Sequence, residues 1–419
     1  MSTNECYGSS DIEISFERSV VHVPFNVYAK DRNVVQGADF SKKLDAIFKA
    51  NTQKGQTLSW QYFASNFGYT RFYPALQWRL RDDIGRPIDY DARFEPWYIA
   101  SVNYPKELII VLDASGSMKG FRQVLAILTI RTVIATLSDR DYFTVIYFND
   151  KAKFLHPCFQ RTLARATDQN KSQFMALLQN METKSVADFP GAILKSYETL
   201  AAFRNESTRW TSASRAIMFM TDGVLADHAD TFELATDQFG YDTVANTRIF
   251  TYLIGKDLKN SQPLRSIACT HRGYFSHIAS TADVKENVMQ YFHVMNRQLA
   301  TKAANSYYQG PRWSQMYAGS MIGGQKMREL VLSSTVAAYN STKSLLGVGG
   351  TDIPVSYLRK YIRPHELGPN GYAFLMTKNG YVTIHPRLKL YYDSRNDGKQ
   401  LRKTYRSMSI NRLESLKDR

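Results

Sequence analysis

The sequence is short of cysteine and of long apolar stretches. It contains three cysteines, Cys6, Cys158 and Cys269, none in Cys-x-x-Cys spacing, and this pattern specifies neither a zinc site nor a closed disulfide framework. No stretch approaches the roughly 18 to 20 apolar residues of a membrane helix. Met1–Ser19 carries acidic residues and lacks the basic start and apolar stretch of a signal peptide. Taken alone, these absences predict a soluble chain that is neither secreted nor membrane-spanning.

The motifs of the commonest enzyme classes are also absent from the sequence. It has no Walker loop, no Gly-x-Ser-x-Gly elbow, no dinucleotide fingerprint and no His-Glu-x-x-His pair. A hydrolase that uses an acidic cluster with Mg²⁺ stays open as an alternative, although no nucleophile and phosphate loop occur together. We therefore predict that the protein is not an enzyme.

Basic residues outnumber acidic ones, and the excess is concentrated near the end of the sequence. The 53 Lys and Arg residues exceed the 38 Asp and Glu residues, for a net charge of +15. The segment from Arg387 to Arg419 contains ten basic and four acidic residues, which is typical either of a solvated tail or of an electrostatic contact. The remaining charge forms no basic stripe, so we predict no nucleic-acid partner.

The order of apolar segments predicts two kinds of domain. With 419 residues, 44% of them hydrophobic, the chain is long enough for two or three domains with sizeable cores. Between residues 105 and 296, apolar runs of strand length alternate with amphipathic helical stretches, which is typical of a mainly parallel sheet covered by helices on both faces. The predicted strands are Glu107–Leu112, Tyr142–Phe148, Ala216–Met220, Arg248–Ile254 and Gly273–Ile278, and the clearest helix is Phe121–Leu137. The apolar residues of this helix recur at spacings of three and four from Phe121 and Val124 onward, so we expect this face to lie against the sheet.

The flanking segments have a different pattern. Residues 1–104 combine a predicted helix at Phe40–Ala50 with aromatic segments, whereas residues 297–419 contain several predicted strands. Asn379 and Gly380 are suited to a hairpin turn, because both residue types tolerate positive φ. These flanks predict an α+β unit that differs from the central α/β domain.

One strand end carries a set of potential metal ligands. The apolar run that begins at Glu107 ends in Asp113, Ser115 and Ser117, and in an extended chain alternate residues point the same way. Asp222 follows a second predicted strand at the same edge of the sheet. Carboxylate and hydroxyl oxygens suit a hard cation such as Ca²⁺ or Mg²⁺, although Asp, Ser and Gly are also ordinary turn residues. We predict a divalent-cation site formed by these four residues.

These motifs resemble those of two known groups of proteins. The Asp-x-Ser-x-Ser strand end and the Thr-Asp-Gly strand end, on an α/β pattern, resemble a von Willebrand factor A domain with its metal-ion-dependent adhesion site. The whole chain resembles the alpha-2-delta auxiliary subunits of voltage-gated calcium channels. The motifs that carry this resemblance are Val20–Tyr28, Arg71–Pro74, Pro96–Ile99, Pro157–Phe159, Phe250–Gly255, Leu346–Asp352, Gly371–Phe374, Asn379–Val382 and His385–Pro386.

The resemblance implies both an architecture and a role. In the alpha-2-delta family the von Willebrand A domain is inserted into a Cache domain, so residues 1–104 and 297–419 would pack together. The implied protein is a non-catalytic subunit at the extracellular face of the plasma membrane, where its adhesion-site cation binds an acidic residue of the pore-forming alpha-1 subunit. The implied effect of this subunit is to increase the surface expression of the channel and its current. A Cache-type module that senses an amino acid is the alternative. The delta segment and anchor of the family are missing from the sequence, which implies a truncated member or a short isoform.

Two sites depart from the pattern of the family. The adhesion-site threonine falls in the loop Thr183–Pro190, where the corresponding residue is Ala187, and Ser185, Asp188 or a water is expected in its place. In relatives that bind gabapentin and free amino acids, an arginine precedes the Pro-Trp-Tyr motif, but here that residue is Glu95. We expect Arg93, Trp97 and Asp352 to be the ligand-binding candidates in that pocket, and we expect no tight gabapentin binding.

Further modification sites follow from the same resemblance and from short motifs. Cys158 matches the family cysteine that bonds to the delta peptide, so it is expected to be unpaired in this chain. Asn170, Asn205 and Asn340 begin Asn-x-Ser/Thr sequons, which permit glycosylation in an extracellular protein but also recur by chance.

Overall fold

The computed structural model describes residues 14–54, 60–76, 89–206, 213–258, 261–302, 310–318, 330–342, 344–362, 366–368, 371–377, 380–386, 388 and 408–410. The chain forms two compact units. The continuous unit is Asn103–Lys302, and the split unit joins the two segments Met1–Val102 and Ala303–Arg419.

The first segment of the split unit contains β1 (Ile14–Ser15), β2 (Val20–His22), α1 (Arg32–Ser41), α2 (Leu44–Lys54), β3 (Trp60–Ser65), β4 (Thr70–Tyr73), β5 (Ala75–Leu76) and α3 (Pro96–Val102). The continuous unit contains β6 (Lys106–Asp113), α4 (Phe121–Ala135), β7 (Tyr142–Phe148), β8 (Ala152–Phe154), β9 (Ala164–Arg165), α5 (Asp168–Gln179), α6 (Phe189–Glu206), β10 (Ser214–Thr221), α7 (Ala229–Phe239), α8 (Tyr241–Ala245), β11 (Thr247–Ile254), α9 (Ser261–Thr270), β12 (Tyr274–Ile278) and α10 (Val284–Lys302). The second segment of the split unit contains β13 (Arg312–Trp313), β14 (Tyr317–Ala318), β15 (Leu330–Tyr339), β16 (Leu345–Pro354), α11 (Val355–Leu358), β17 (Leu375–Met376), β18 (Tyr381–Ile384) and β19 (Met408–Ser409).

The continuous unit is built on a mainly parallel sheet, as predicted. Its strand order is β12-β11-β10-β6-β7-β8, and β8 and β9 pair with β7 in the antiparallel sense. All eight residues of β6 are buried, because a central parallel strand is covered on both faces. One face of the sheet joins a core with side chains of α6, α7 and α9, and α4 contacts α10 and β11.

Helix α4 confirms the predicted helix but not all of its predicted core face. Leu125, Ile130 and Val133 are fully buried. Phe121 and Val124, which the periodicity placed against the sheet, are 54% and 59% exposed. The helix begins at Phe121 after a left-handed glycine at its N-terminus, so these two side chains belong to its first turn and the buried stripe starts only at the second turn.

The two ends of the continuous unit are tied together. The backbone N–H of Tyr104, just before β6, donates a hydrogen bond of 3.0 Å to the side-chain oxygen of Asn296 in α10. Both residues are buried. The entry and the exit of this unit therefore lie close to each other.

The split unit contains an antiparallel sheet with the strand order β13-β15-β16-β3-β4-β2. Strand β3 of the first segment pairs with β16 of the second, with Trp60 opposite Asp352, so strands from both segments form one sheet. Helix α3 contacts β15, where the hydroxyls of Ser101 and Thr335 lie 2.5 Å apart. This arrangement is α+β, and its assignment as a Cache domain stays a prediction.

Candidate metal centre

The predicted metal ligands come from the ends of two neighbouring strands. Strands β6 and β10 are parallel and adjacent, with Leu112 opposite Met220, so Asp113 and the residues after Thr221 reach the same edge of the sheet. Sites in open α/β sheets usually form at this carboxyl edge.

A chain of hydrogen bonds connects all four predicted ligands. The N–H of Ser115 donates to Asp113 Oδ1 at 2.9 Å, and the hydroxyls of Ser115 and Ser117 lie 3.0 Å apart. Ser117 Oγ then donates to Asp222 Oδ1 at 3.1 Å. Thr221, the first residue of the Thr-Asp-Gly strand end, donates from Oγ1 to Asp113 Oδ2 at 2.7 Å. The structure therefore brings Asp113, Ser115, Ser117 and Asp222 together.

Asp113 is the most buried charged group of this cluster, at 2% exposure. Burial raises the pKa of Asp113, hydrogen bonds from Ser115 and Thr221 lower it, and the charge of Asp222 raises it further. The balance lies above the usual pKa of an aspartate. A positive charge placed beside Asp113 would stabilise its ionised form.

The donor set fits a hard divalent cation. Within the described residues, no group of three or more His, Cys, Asp or Glu side chains could hold a metal ion. A cation here would therefore depend on the two carboxylates of Asp113 and Asp222 together with serine hydroxyls. Oxygen donors of this kind suit Ca²⁺ or Mg²⁺ better than a thiophilic metal.

A guanidinium group lies beside the candidate ligands. Arg122 Nη1 donates to Asp222 Oδ2 at 2.9 Å and to the backbone oxygen of Ser117 at 3.0 Å. Its Nη2 lies 3.4 Å from Asp257 Oδ2. Sequence reasoning missed Arg122, because its partner Asp222 is a hundred positions away in the chain.

The loop expected to supply a fifth ligand contacts the site through its backbone. Lys184 N donates to Ala114 O at 2.9 Å, and Gly116 N donates to Ser185 O at 3.0 Å. Asp188 Oδ1 accepts from Gly191 N at 3.1 Å, at the start of α6. In this part of the chain, which the structure describes in full, neither the Ser185 nor the Asp188 side chain joins the hydrogen-bond chain of the site. Ala187 is exposed.

The ligand-binding candidates of the split unit are buried. Asp91 is 2.7 Å from Arg93 Nη2, and both side chains are 2% exposed. The ring of Trp97 lies 4.5 Å from that of Tyr62. Asp352 Oδ1 accepts hydrogen bonds from three hydroxyls, those of Tyr62 (2.8 Å), Ser333 (2.7 Å) and Tyr317 (3.2 Å). Arg93 is thus already paired with a carboxylate of its own chain.

Glu95 is half-buried next to this cluster. Burial raises the pKa of Glu95 to about 8, and the charges of Asp352 and Asp91 contribute to the increase. At neutral pH this carboxyl is therefore largely protonated and carries little negative charge that could repel an amino-acid carboxylate.

The predicted modification sites lie on the continuous unit and in one turn of the split unit. Cys158 is free and exposed. Asn205, near the end of α6, and Asn340, in the turn after β15, are exposed. The side chain of Asn170 is half-buried and donates to the backbone oxygen of Arg165 at 2.8 Å. Their disulfide and glycosylation roles stay predictions.

Comparison with protein families identifies the class of the continuous unit. Residues 107–290 match the von Willebrand factor type A domain, and residues 4–78 match the family described as VWA N-terminal. Together with the parallel sheet and the cluster at its carboxyl edge, this match shows that the continuous unit is a von Willebrand factor type A domain.

Relatives that match over most of the chain show the family to which it is homologous. The human voltage-dependent calcium channel subunit alpha-2/delta-4 is 34% identical over 97% of this chain, and the rat subunit alpha-2/delta-3 is 35% identical over 99%. The Caenorhabditis elegans voltage-dependent calcium channel unc-36 is 25% identical over 88%. The chain is a homologue of the alpha-2/delta subunits, so the resemblance seen in the motifs is confirmed. It spans 35%, 37% and 36% of the length of these three relatives.

Solved structures with likeness to the chain have low TM-scores. A von Willebrand factor type A protein from Catenulispora acidiphila is 18% identical, covers 60% of this chain and 57% of its own, and has a TM-score of 0.38. Proximal thread matrix protein 1 from the mussel byssus, described with a zinc-occupied MIDAS motif, is 15% identical, covers 45% of this chain and 46% of its own, and has a TM-score of 0.32.

Proposed function

We propose that this protein is a non-catalytic subunit of a voltage-gated calcium channel. It binds the pore-forming alpha-1 subunit at the extracellular face of the plasma membrane and promotes surface expression and current. The observation that carries the proposal is the linked set of Asp113, Ser115, Ser117 and Asp222 in a chain homologous to alpha-2/delta subunits. Among the described helices, none has the length and apolar composition to cross a membrane.

The cluster would act by holding a Ca²⁺ or Mg²⁺ ion. Asp113 and Asp222 supply negative charge, and Ser115 and Ser117 supply neutral oxygens. The cation, when bound, would supply a positive centre for a carboxylate of the alpha-1 subunit. Thr221 holds Asp113 in place through its 2.7 Å hydrogen bond. Because Ala187 carries no side-chain oxygen, the site has fewer protein ligands than the family pattern, and we expect its affinity for the cation to be correspondingly lower.

The first prediction concerns the effect of cations on unfolding. Millimolar Ca²⁺ or Mg²⁺ is expected to raise the thermal unfolding midpoint of the wild-type chain, because a ligand that binds only the folded state stabilises it, by about 2.7 kcal/mol at 100 times its dissociation constant. Asp113→Ala is expected to abolish the increase, and Ser117→Ala, at an exposed position, to reduce it. The measurement is calorimetry with and without each cation.

Asp237→Ala is the matched control, because Asp237 is exposed on α7 and lies outside the cluster. It is expected to retain the full increase. An equal increase in wild type and in Asp113→Ala would show that the cation binds elsewhere.

Capture of the alpha-1 subunit from solubilised membranes, with and without EDTA, then tests the partner. Capture that neither EDTA nor Asp113→Ala reduces would contradict the proposed contact.

The second prediction concerns amino-acid ligands of the split unit. We expect no gabapentin binding tighter than millimolar, because a ligand carboxylate needs a free cationic partner and Arg93 is bonded to Asp91 at 2.7 Å. Isothermal titration of gabapentin and of leucine into the full chain is the measurement. Micromolar affinity for either compound would contradict this prediction and favour the alternative function, a Cache-type amino-acid sensor.

A further inference from the structure

Arg122 connects three segments at the edge of the candidate metal centre. It is the second residue of α4, and its guanidinium reaches Ser117 in the loop after β6, Asp222 after β10, and Asp257 after β11. Its side chain is 34% exposed, and that of Asp222 is 13% exposed. The pair between Arg122 and Asp222 is therefore partly exposed to solvent, with the carboxylate more buried than the guanidinium.

The backbone near Arg122 leaves room for this arrangement. Gly255 has a φ of +124°, and a Cβ built on it would lie 3.1 Å from Arg122 Nε. Only glycine adopts such a backbone conformation readily. A side chain at this position would therefore be strained and would also crowd the guanidinium.

The two oxygens of Asp222 have different partners. Oδ1 accepts from Ser117 Oγ within the cluster, at 3.1 Å. Oδ2 accepts from Arg122 at 2.9 Å. The hydrogen bond from Ser117 thus orients Asp222 toward the serines without help from Arg122. What Arg122 adds at Asp222 is its positive charge.

We propose that Arg122 is a built-in counterion of the metal centre, which pairs with Asp222 and Asp257 in the cation-free protein and lowers the affinity of the centre for divalent cations. This inference rests on the proposed cation site. A divalent cation and a guanidinium that share one carboxylate repel each other, and the repulsion increases as their separation decreases. Arg122 therefore sets the cation concentration at which the centre fills.

The test compares cation affinity and cation-free stability in matched variants. Arg122→Gln keeps an N–H donor but removes the charge, and Arg122→Lys keeps the charge but removes the planar fork. Arg131→Gln is the control, because Arg131 is exposed on the same helix. Isothermal titration of Ca²⁺ and of Mg²⁺ into the full chain measures affinity, and thermal unfolding in EDTA measures the cation-free protein.

Arg122→Gln is expected to bind the cation about 5- to 30-fold more tightly, the size of the repulsion between a divalent cation and one unit charge about 4 to 8 Å away at an effective dielectric constant of about 80; this high value applies because the Arg122 side chain is 34% exposed. Its unfolding midpoint in EDTA is expected to fall, because Asp222 loses its counterion. Arg122→Lys and Arg131→Gln should bind like wild type. Equal or weaker binding by Arg122→Gln, or tighter binding by Arg122→Lys, would overturn the counterion role while leaving the cation site intact. Absence of binding by both wild type and Arg122→Gln would overturn the cation site itself and this inference with it.

Discussion

Replacing Lys106 by methionine is expected to lower the free energy of unfolding of the continuous unit by about 3 to 5 kcal/mol, as is usual when a buried ion pair loses one member. Lys106 Nζ lies 3.2 Å from Asp141 Oδ2, and both side chains are 0% exposed. Burial lowers the pKa of Lys106, whereas the charge of Asp141 raises it. Without the ammonium group, Asp141 would be left as a buried charge with neutral donors only.

In Lys106→Met, Asp141 would keep only its hydrogen bonds from neutral donors. Its carboxylate accepts from Asn103 Nδ2 at 3.0 Å and from the backbone N–H groups of Ser138 at 2.7 Å and Lys106 at 3.2 Å. These bonds join the start of β6 to the turn before β7. These hydrogen bonds offset part of the loss of Lys106 but do not neutralise the Asp141 carboxylate, so the expected decrease in the free energy of unfolding stays large.

Urea unfolding of the full chain, followed through the transition of the continuous unit, measures this effect. Lys153→Met is the matched control, because Lys153 is exposed on β8, and it is expected to change stability by less than about 0.5 kcal/mol. The double variant Lys106→Met with Asp141→Asn should recover much of the loss, because asparagine removes the unpaired charge and keeps a side-chain oxygen that accepts from the surrounding N–H groups. A loss below about 1 kcal/mol in Lys106→Met would contradict the buried-charge argument.

Glu95→Gln is expected to remove a pH-dependent decrease in the free energy of unfolding of the split unit. The pKa of Glu95 is about 8 in the folded chain, mainly because of burial, compared with 4.5 for an unperturbed glutamate. Between these values the folded chain keeps a proton that the unfolded chain has lost, so the free energy of unfolding falls as the pH rises. Below pH 4.5 the group is neutral in both states and contributes no penalty. Above pH 8 the full penalty applies, on the order of 3 to 5 kcal/mol.

Unfolding measured at pH 5, 7 and 8.5 tests this prediction through the difference between the wild type and the variant. Glutamine cannot ionise, so the gain in stability from Glu95→Gln should be small at pH 5 and increase steadily toward pH 8.5. Glu17→Gln serves as the control, because the side chain of Glu17 is 86% exposed. A gain that is the same at all three pH values would show that Glu95 titrates normally in the folded chain.

The sequence predicted the continuous unit well because its strands are buried on both faces. Strand β7 was predicted at the bounds observed, and β10 extends only one or two residues beyond its predicted ends. The metal candidates could be found for the same reason, since neighbouring parallel strands must end at one edge. In the split unit, a single predicted helix at Phe40–Ala50 proved to be the end of α1 and most of α2. No Pro or Gly marks the break at Lys42 and Lys43, so the apolar pattern runs through it.

Other features could not be predicted because they depend on contacts between distant segments. Arg122 looks like any basic residue at the start of a helix until Asp222 and Asp257 are placed beside it. Arg93 was a candidate for binding a ligand carboxylate, but its side chain donates instead to the carboxylate of Asp91. The two residues are brought together by a local turn whose geometry the sequence does not specify. Phe121 and Val124 follow the helical period but belong to a first turn that extends past the buried stripe.

The hydrogen bond between Tyr104 and Asn296 has a consequence for folding. Strands β3 and β16 must find each other across the whole continuous unit, which would be a costly loop to close if that unit were an unfolded chain. Once the continuous unit is folded, Tyr104 and Asn296 are held together by a hydrogen bond of 3.0 Å, so the effective connection between β3 and β16 no longer includes the chain between these two residues. Each doubling of loop length costs about 0.6 kcal/mol, and the remaining connection is roughly a third as long as the full one, so prior folding of the continuous unit lowers the entropic cost of pairing β3 with β16 by about 1 kcal/mol.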